Sequence, residues 1–321
     1  MTISHVAVIG AGLAGLTCAR ELAAAGVQVR LYDKSRGPGG RLSTRRSPAG
    51  PFDHGGADFA ASGSDFAQQV SQWTEAGWLA GVDDARHTGV GGMNALPRAL
   101  AQGLAVQLDT EIAAIEPAGE GRWQLRAHQP VPGLAEQVFD AVVVAVPAEQ
   151  AVPLLGVAPA LAEGVRPVRS EPTWTVMAAW PLALPVRSER LQPSSGPMRE
   201  ARRDDTRPGR ERVAGVGCRW VLHATPDWSA NNLDAPPDQV LRRLLDAFGE
   251  ALGVRLARPA HAVAHRWRYA QVRKPLSEPC GWEATLRIGA CGDTWHATGK
   301  AEGIERAWLS GRALARAMQA T

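Results

Sequence analysis

No uninterrupted apolar run in the chain approaches the roughly 20 residues needed to cross a bilayer, so a membrane-spanning protein is not expected. The first apolar stretch meets Gly10 within ten residues, without the basic region, apolar core and cleavage site of a secretory leader, so a leader is not expected in these residues. Cysteine is sparse. Cys18, Cys218, Cys280 and Cys291 are scattered without a C-x-x-C pair, which argues against structural metal and predicts reduced thiols in a cytoplasmic protein. Lysine stands only at Lys34, Lys274 and Lys300, so arginine carries nearly all the positive charge, and no function follows from that alone. Net charge is +3, with acids and bases intermixed, and no basic stripe for nucleic acid is evident. No internal repeat is present, and 321 residues are enough for two closely joined domains.

Glycine, in contrast, stands at informative spacing. In "VAVIGAGLAGLTCARELAAAGVQVRLYDKSRGPGGR", Val6 to Ile9 is a short apolar run suited to a strand buried on both faces of a parallel sheet. Gly10 and Gly12 permit a tight turn and close approach of backbone to a pyrophosphate. Leu13 and Ala14 lead to Gly15, where a missing side chain lets a helix pack on the strand. Leu16 to Ala25 is expected to be that helix, Gly26 its stop and Val27 to Tyr32 the second strand. Asp33 then stands at the strand end, where an acid accepts hydrogen bonds from ribose hydroxyls. An ordinary strand-to-helix turn would explain the glycines but not strand, helix, strand and acid in order. The pattern predicts a dinucleotide site.

The next residues bear on which dinucleotide. "KSRGPGGR", Lys34 to Arg41, resembles the second glycine motif of two-dinucleotide-binding flavoproteins, with Gly40 and Arg41 on the pyrophosphate side of the site. A flexible loop with a surface arginine is the blander alternative. Near the other end, "LRIGACGDTWHATGKAEGIERAWLSG" sets a strand, Leu286 to Ala290, before Gly292-Asp293, and turns helical from Ile304 or Glu305. The same resemblance places the Asp293 carboxylate at the ribityl and phosphate region. It places the helix start at the flavin pyrimidine edge, where N–H groups and the positive dipole end suit a reduced flavin. Two ends of one chain supplying halves of one site point to FAD.

Between these ends, Val106 to Glu116 reads as one strand, Trp123 to Ala127 as its neighbour, and Phe139 to Ala151 as a buried strand ending at Pro147. Residues 187–212, charged and rich in Pro, Ser and Gly, read as a surface loop or short hairpin. Residues 213–225 and 258–272 read as strands and Pro236 to Leu252 as an amphipathic helix. His261 and His265 would suit zinc on a helix, but a strand sets them about 13 Å apart, so no metal is assigned. His54 lies near the expected flavin ring, with a packed or solvent-facing role the simpler reading. Most of the 11 tryptophans must be core, while Trp220, Trp267, Tyr269 and Trp295 are candidates to wall a substrate cavity.

Six segments together, "VAVIGAGLAGLTCARELAAAGVQVRLYDKSRGPGGRLSTRR", "FDHGGADF", "GVGGMNALPRALA", "WVLHATPDWS", "HRWRYA" and "ACGDTW" with "ERAWLSG", resemble the renalase-like FAD-dependent oxidoreductases, a bacterial branch of the monoamine oxidase flavoprotein superfamily. The resemblance spans residue 6 to about 316. It implies an α/β fold: a doubly wound Rossmann-type FAD-binding domain with an inserted α+β substrate domain, of the amine oxidase/p-hydroxybenzoate hydroxylase kind. Residues 1–60, 90–165 and 273–321 would form the first, and 61–89 with 166–272 the second. Backbone at Gly56 and Ala57 would lie by the flavin and Ile112 by the adenine. FAD would be noncovalent, since no cysteine stands in the attachment motif of the amine oxidases.

The implied activity is oxidation of dihydronicotinamide nucleotides reduced at the wrong ring carbon. A hydride passes to flavin N5, and dioxygen takes the electrons as hydrogen peroxide. Such chemistry needs stacking and exclusion of water more than an acid or base, so no catalytic side chain is assigned. The substrate pocket is expected between Ala57, Asp58, Met93, Asn94, Trp267 and Tyr269. Three departures stand out: Ala57-Asp58 replace the usual Gln-Tyr, Arg306 replaces a glycine, and Trp295 to Gly303 is longer. Either Asp58 faces away and the dihydronicotinamide reading holds, or it attracts a cationic amine and the chain is an amine oxidase. A flavin-bearing binding protein and a carotenoid-type desaturase or isomerase are the remaining alternatives.

Overall fold

The computed structural model describes residues 3–321 apart from 84, 187 and 298. Along the chain run β1 (His5–Ile9), α1 (Leu13–Ala24), β2 (Gln28–Tyr32), β3 (Thr44–Arg45), β4 (Phe52–Asp53), β5 (Phe59–Ala60), α2 (Ser64–Glu75), β6 (Leu79–Gly81), β7 (Arg86–Gly89), α3 (Ala95–Ala101) and β8 (Ala105–Gln107). There follow β9 (Ile112–Pro117), β10 (Trp123–Ala127), β11 (Ala141–Val144), α4 (Ala148–Leu154), α5 (Pro159–Val165), β12 (Ser170–Trp180), β13 (Arg190–Leu191), β14 (Met198–Arg203) and β15 (Cys218–Ala224). The chain ends with α6 (Pro226–Asn231), α7 (Pro237–Leu252), β16 (His261–Val272), β17 (Gly281–Glu283), β18 (Ile288–Ala290) and α8 (Gly303–Gln319). Among the described residues no helix is long and apolar enough to cross a membrane.

Six strands in the order β17-β18-β11-β1-β2-β8 make the first sheet, parallel except for the edge strand β17. Its central strands β11 and β18, and β1 beyond His5, are apolar and buried because both faces are covered, while β2 and β8 toward the edge carry exposed Gln28, Arg30 and Gln107. Side chains alternate along β1, so Val6 and Val8 pack with α1 and α8, while Ala7 and Ile9 pack with Ile112, Trp123, Leu154 and Val165. The carboxyl ends of β1, β2 and β11 open side by side where the strand order reverses, the position at which doubly wound sheets bind ligands.

Two expected strands are shorter than read. Val106 to Glu116 is divided between β8 and β9, which belong to different sheets. The chain breaks at Asp109, whose φ is 52°, and the Thr110 N–H donates to the Asp33 carbonyl at 2.9 Å. Periodicity alone does not reveal such a turn. The strand read as Phe139 to Ala151 occupies only Ala141–Val144, because Pro147 already caps α4.

The second large sheet is antiparallel, in the order β13-β14-β15-β12-β16. One face, with Trp174, Val176, Ala178, Trp220 and Leu222, packs on Val240, Leu244 and Phe248 of α7. Each such large apolar side chain contributes about 1.5–3 kcal/mol by its burial. The opposite face, with Met177, Ala179 and Val221, packs on Ala49 and Phe52. Trp220 therefore belongs to the core beneath α7 rather than to a substrate cavity. Trp295 is likewise core, in the cluster behind the parallel sheet. A small sheet, β5-β7-β6, stands beside α2.

Candidate functional site

A continuous track of backbone runs along the carboxyl ends of the parallel strands. Gly10, at a φ of 106°, donates its N–H to the Tyr32 carbonyl at 2.8 Å, closing the turn into α1. The Ala11 N–H donates to Asp33 Oδ2 at 2.7 Å, and the Ser35 N–H to Oδ1 at 2.8 Å. Gly12 is the N-cap of α1, which has neither a side-chain cap nor an acid in its first turn. A Cβ on Gly12 would meet nothing within 4 Å, and one on Gly40 would approach Gly12 Cα at 3.7 Å. The result is a cradle of backbone with helical N–H groups facing it, which suits an anionic phosphate.

Arg41 closes this track onto the far end of the chain. Its Nη1 and Nη2 donate to Asp293 Oδ2 and Oδ1 at 2.7 and 2.6 Å, a bidentate pair, and Nη1 also reaches the Ala270 carbonyl at 3.2 Å. Burial pulls the guanidinium pKa down, but the Asp293 charge outweighs it and holds Arg41 above its ordinary value. The Gly56 N–H donates to the Arg41 carbonyl at 2.9 Å, and a Cβ on Gly56 would stand 3.7 Å from Ile304 at the start of α8. Gly292 donates its N–H to Ser310 Oγ at 3.2 Å within the same junction.

Gly10, Gly12, Asp33, Gly40, Arg41, Gly56, Gly292, Asp293 and Ile304 are thus neighbours. Leu13, Ala14 and Gly15 present only backbone here, since their side-chain positions are buried in α1. Lys34 is half-exposed and pairs with Glu111 at 3.5 Å. Ile112 sits in the apolar cluster behind β1. The Glu305 carboxylate is directed away: it accepts the N–H and Oγ–H of Ser62 and the N–H of Gly63, fixing the start of α2.

Beyond Gly56 the surroundings become a network of arginines and carboxylates. Asp58 is buried beneath three guanidiniums: Arg86 Nε donates at 2.5 Å, Arg202 Nη1 pairs with Oδ2, and Arg207 Nη2 stands 3.6 Å away. Arg86 also holds Glu302, the N-cap residue of α8, at 3.0 Å. Arg202 Nε donates to Glu200 at 2.8 Å. Arg207 donates to the Ala57 carbonyl and to Thr88 Oγ1. Behind it, Arg210 pairs with Asp53 at 2.5 Å and Asp204 at 3.2 Å in a fully sealed cluster. Burial lowers the Arg202 pKa to about 10, with Arg207 adding to the fall. Burial raises Asp204 to about 6, and the neighbouring Asp53 charge adds to the rise against the pull of Arg210.

Aromatic rings form the other side. Trp267 Nε1 donates to the His54 carbonyl at 2.9 Å and lies against Gly55, where a Cβ would stand 3.3 Å from its ring. His265 packs edge-on to both His54 and Trp267, with centroids 4.8 and 4.6 Å away. Tyr269 follows on the same strand, half-buried. Burial holds His54 and His223 at about 3 and His265 at about 4. His265 and Arg45 add to the fall at His54, Arg199 and Arg202 at His223, and Arg45 at His265. All three are neutral near pH 7.

One pocket candidate is placed otherwise than expected. Met93 is fully buried in the apolar core with Leu42 and Phe59, so its thioether lines no cavity, and its N–H serves Asp53 at 2.9 Å. Asn94 is the N-cap residue of α3 and donates its N–H to Thr44 Oγ1 at 3.2 Å. The arginine wall went unseen in the sequence because "MREARRDDTRPGRER" reads as a solvated charged loop. Glu200 and Arg202 alternate onto the face shared with His223, and the following loop turns back beneath Ala57.

Comparison with known proteins places this architecture. A model described as "Flavin containing amine oxidoreductase" matches residues 58–319, and one for an NAD(P)-binding Rossmann-like domain matches residues 8–73. Among solved structures, a putrescine oxidase redesigned in cofactor binding superposes with a TM-score of 0.72 at 13% identity, covering 100% of both chains. An oxidoreductase from Methanosarcina mazei gives 0.65 at 13% identity, covering 96% of this chain and 99% of that one. At such identity they share the fold. Hydroxyneurosporene desaturase of Cereibacter sphaeroides is 47% identical over 53 residues, 16% of this chain and 11% of that protein, so the likeness spans a small part of its length.

Proposed function

The chain belongs to the flavin containing amine oxidoreductase family, whose members work with FAD, and on that premise we propose that it is an oxidase of dihydronicotinamide nucleotides reduced at the wrong ring carbon. FAD, when bound, supplies the two-electron acceptor, and dioxygen carries the electrons away as hydrogen peroxide. The backbone N–H groups at Gly12 to Gly15 and the Arg41 guanidinium would hold the pyrophosphate. Asp33 would hold the adenosine ribose, Asp293 the ribityl chain, and the segment Gly56-Ala57 with Ile304 the ring. The sheet spanning residues 170–272 and the small β5-β7-β6 sheet would enclose the substrate.

The state of Asp58 carries this choice of substrate. Its carboxylate is committed to Arg86, Arg202 and Arg207, so it offers no counter-ion to an ammonium. A cationic amine would find guanidiniums already holding the nearest carboxylates and would have to displace one of them to gain a counter-ion. A nucleotide brings negative charge to the same guanidiniums. Loss of a hydride from a dihydropyridine releases no proton, so His54, His223 and His265 need not titrate. They and Trp267 instead give a neutral aromatic surface that can align a flat ring and exclude water.

Anaerobic mixing tests this. An abnormal dihydronicotinamide mononucleotide should bleach the flavin absorbance within the mixing experiment, while primary and secondary amines and apolar polyenes leave it coloured. Bleaching by an amine and not by the nucleotide would replace this function with amine oxidation, and bleaching by none would make the chain a flavin-bearing binding protein.

A further inference from the structure

We propose that Arg202, with Arg86 beside it, receives the phosphate of the substrate, and that Asp58 is a resident counter-ion that shares these guanidiniums with it. This rests on the dihydronicotinamide reading and names the part of the substrate that the ring chemistry leaves open. The four arginines of the wall are not equivalent. The side chains of Arg207 and Arg210 are 7% and 0% exposed and are tied to backbone carbonyls, Asp53 and Asp204. Arg86 and Arg202 keep 24% and 13% exposure. The sealed pair builds the wall and the open pair faces what approaches it.

Donors also exceed the acceptors that Asp58 can offer. A carboxylate presents about four lone-pair sites and each guanidinium about five N–H groups. Asp58 shares its sites among three guanidiniums, and buried Arg207 Nε reaches no hydrogen-bond acceptor, its nearest carboxylate oxygen, Asp53 Oδ2, standing 3.9 Å away. The other partners of the open pair are weak or shared. Glu302 is 42% exposed, where solvent screens its pair with Arg86. Glu200 divides its charge among Arg190, Arg199 and Arg202. An arriving phosphate with three acceptor oxygens would match the two forks and leave Asp58 its ion pair with Arg207 and its bond to one of them.

The position fits a substrate group rather than a surface ion. Asp58 follows Ala57, whose carbonyl is held by Arg207, and Glu302 leads into α8, where Ile304 meets Gly56. Arg86 therefore spans the gap between the two segments that would flank the flavin ring.

The test compares kcat/KM for the abnormal dihydronicotinamide mononucleotide with that for its riboside, which lacks the phosphate. The wild type should prefer the mononucleotide by about tenfold or more, expressed in KM. Arg202→Gln should bring the ratio toward one, and Arg202→Lys should keep part of it. Asp58→Asn should move the other way, lowering KM for the mononucleotide. Where Arg202→Gln folds poorly, as judged by bound flavin and thermal unfolding, the charge-balanced Asp58→Asn/Arg202→Gln double variant gives the same comparison. Equal KM for both substrates in the wild type, or an unchanged ratio in these variants, would overturn the phosphate assignment and leave the dihydronicotinamide reading standing. Failure of both substrates to bleach the flavin would overturn both.

Discussion

Taking the protein from about pH 7.5 to about pH 5.5 should protonate His54, His223 and His265 in the unfolded chain alone, because the fold holds them at about 3, about 3 and about 4. A folded pKa below the unfolded value stabilises the fold above about pH 6.5, and that stabilisation is lost as the pH falls. One unit below the unfolded value costs about 1.4 kcal/mol per buried histidine. His54 and His223 together lose about 3 kcal/mol, and His265, partly exposed, adds less than about 1. Asp204 works in the opposite sense. Its folded value, raised to about 6, makes the folded chain take up a proton first, which returns about 1 kcal/mol over the same range. The net loss is about 2–3 kcal/mol, a large share of a typical domain's 5–15. Urea unfolding followed by tryptophan fluorescence, at fixed FAD, should show the midpoint falling steadily across this range. His223→Gln should make the dependence shallower by about 1.4 kcal/mol, and Asp204→Asn should steepen it. A midpoint that stays level or rises on acidification would refute the burial of neutral histidines beside this site.

Asp293→Asn should weaken FAD binding by at least about tenfold, read by fluorescence titration, because it leaves the Arg41 fork with half a partner; unaltered affinity would remove the pair from the cofactor site. Glu305→Ala should cost about 3 kcal/mol in thermal or urea unfolding, since the Ser62 and Gly63 N–H groups lose their acceptor, while Glu305→Gln should cost less. Gly311→Val should destabilise the junction of α1 and α8 by at least about 2 kcal/mol, as its side chain would meet the Ala14 carbonyl, and a neutral change in melting temperature would contradict that close approach.

Local backbone chemistry was legible in the residues. β1, α1 and β2 follow from the apolar runs, the glycine turn and Gly26, and β10 and α7 lie within a residue of their expected bounds. What could not be read depends on which face a strand presents and where a loop returns. Trp220 looked available for a cavity until the alternation of β15 turned it toward Phe248. Met93 is expected at the substrate pocket, but it is fully buried in the core cluster that also holds Leu42 and Phe59, residues far from it in sequence. The arginine wall was the largest omission. Charged residues are solvated in most loops, and only partners from two stretches distant in sequence, Asp53 and Asp58 in one and Glu200 and Asp204 in the other, make it possible to withdraw Arg202, Arg207 and Arg210 from solvent.

The central claim is oxidation of a misreduced nicotinamide nucleotide at the expense of dioxygen, and one sample can test it. Wild-type protein, loaded with FAD and given the abnormal dihydronicotinamide mononucleotide in air, is assayed at intervals for oxidised nicotinamide mononucleotide and for hydrogen peroxide. The account predicts that both appear together, one for one, until the substrate is gone. Substrate that persists unchanged while an amine in the same buffer yields peroxide would contradict it.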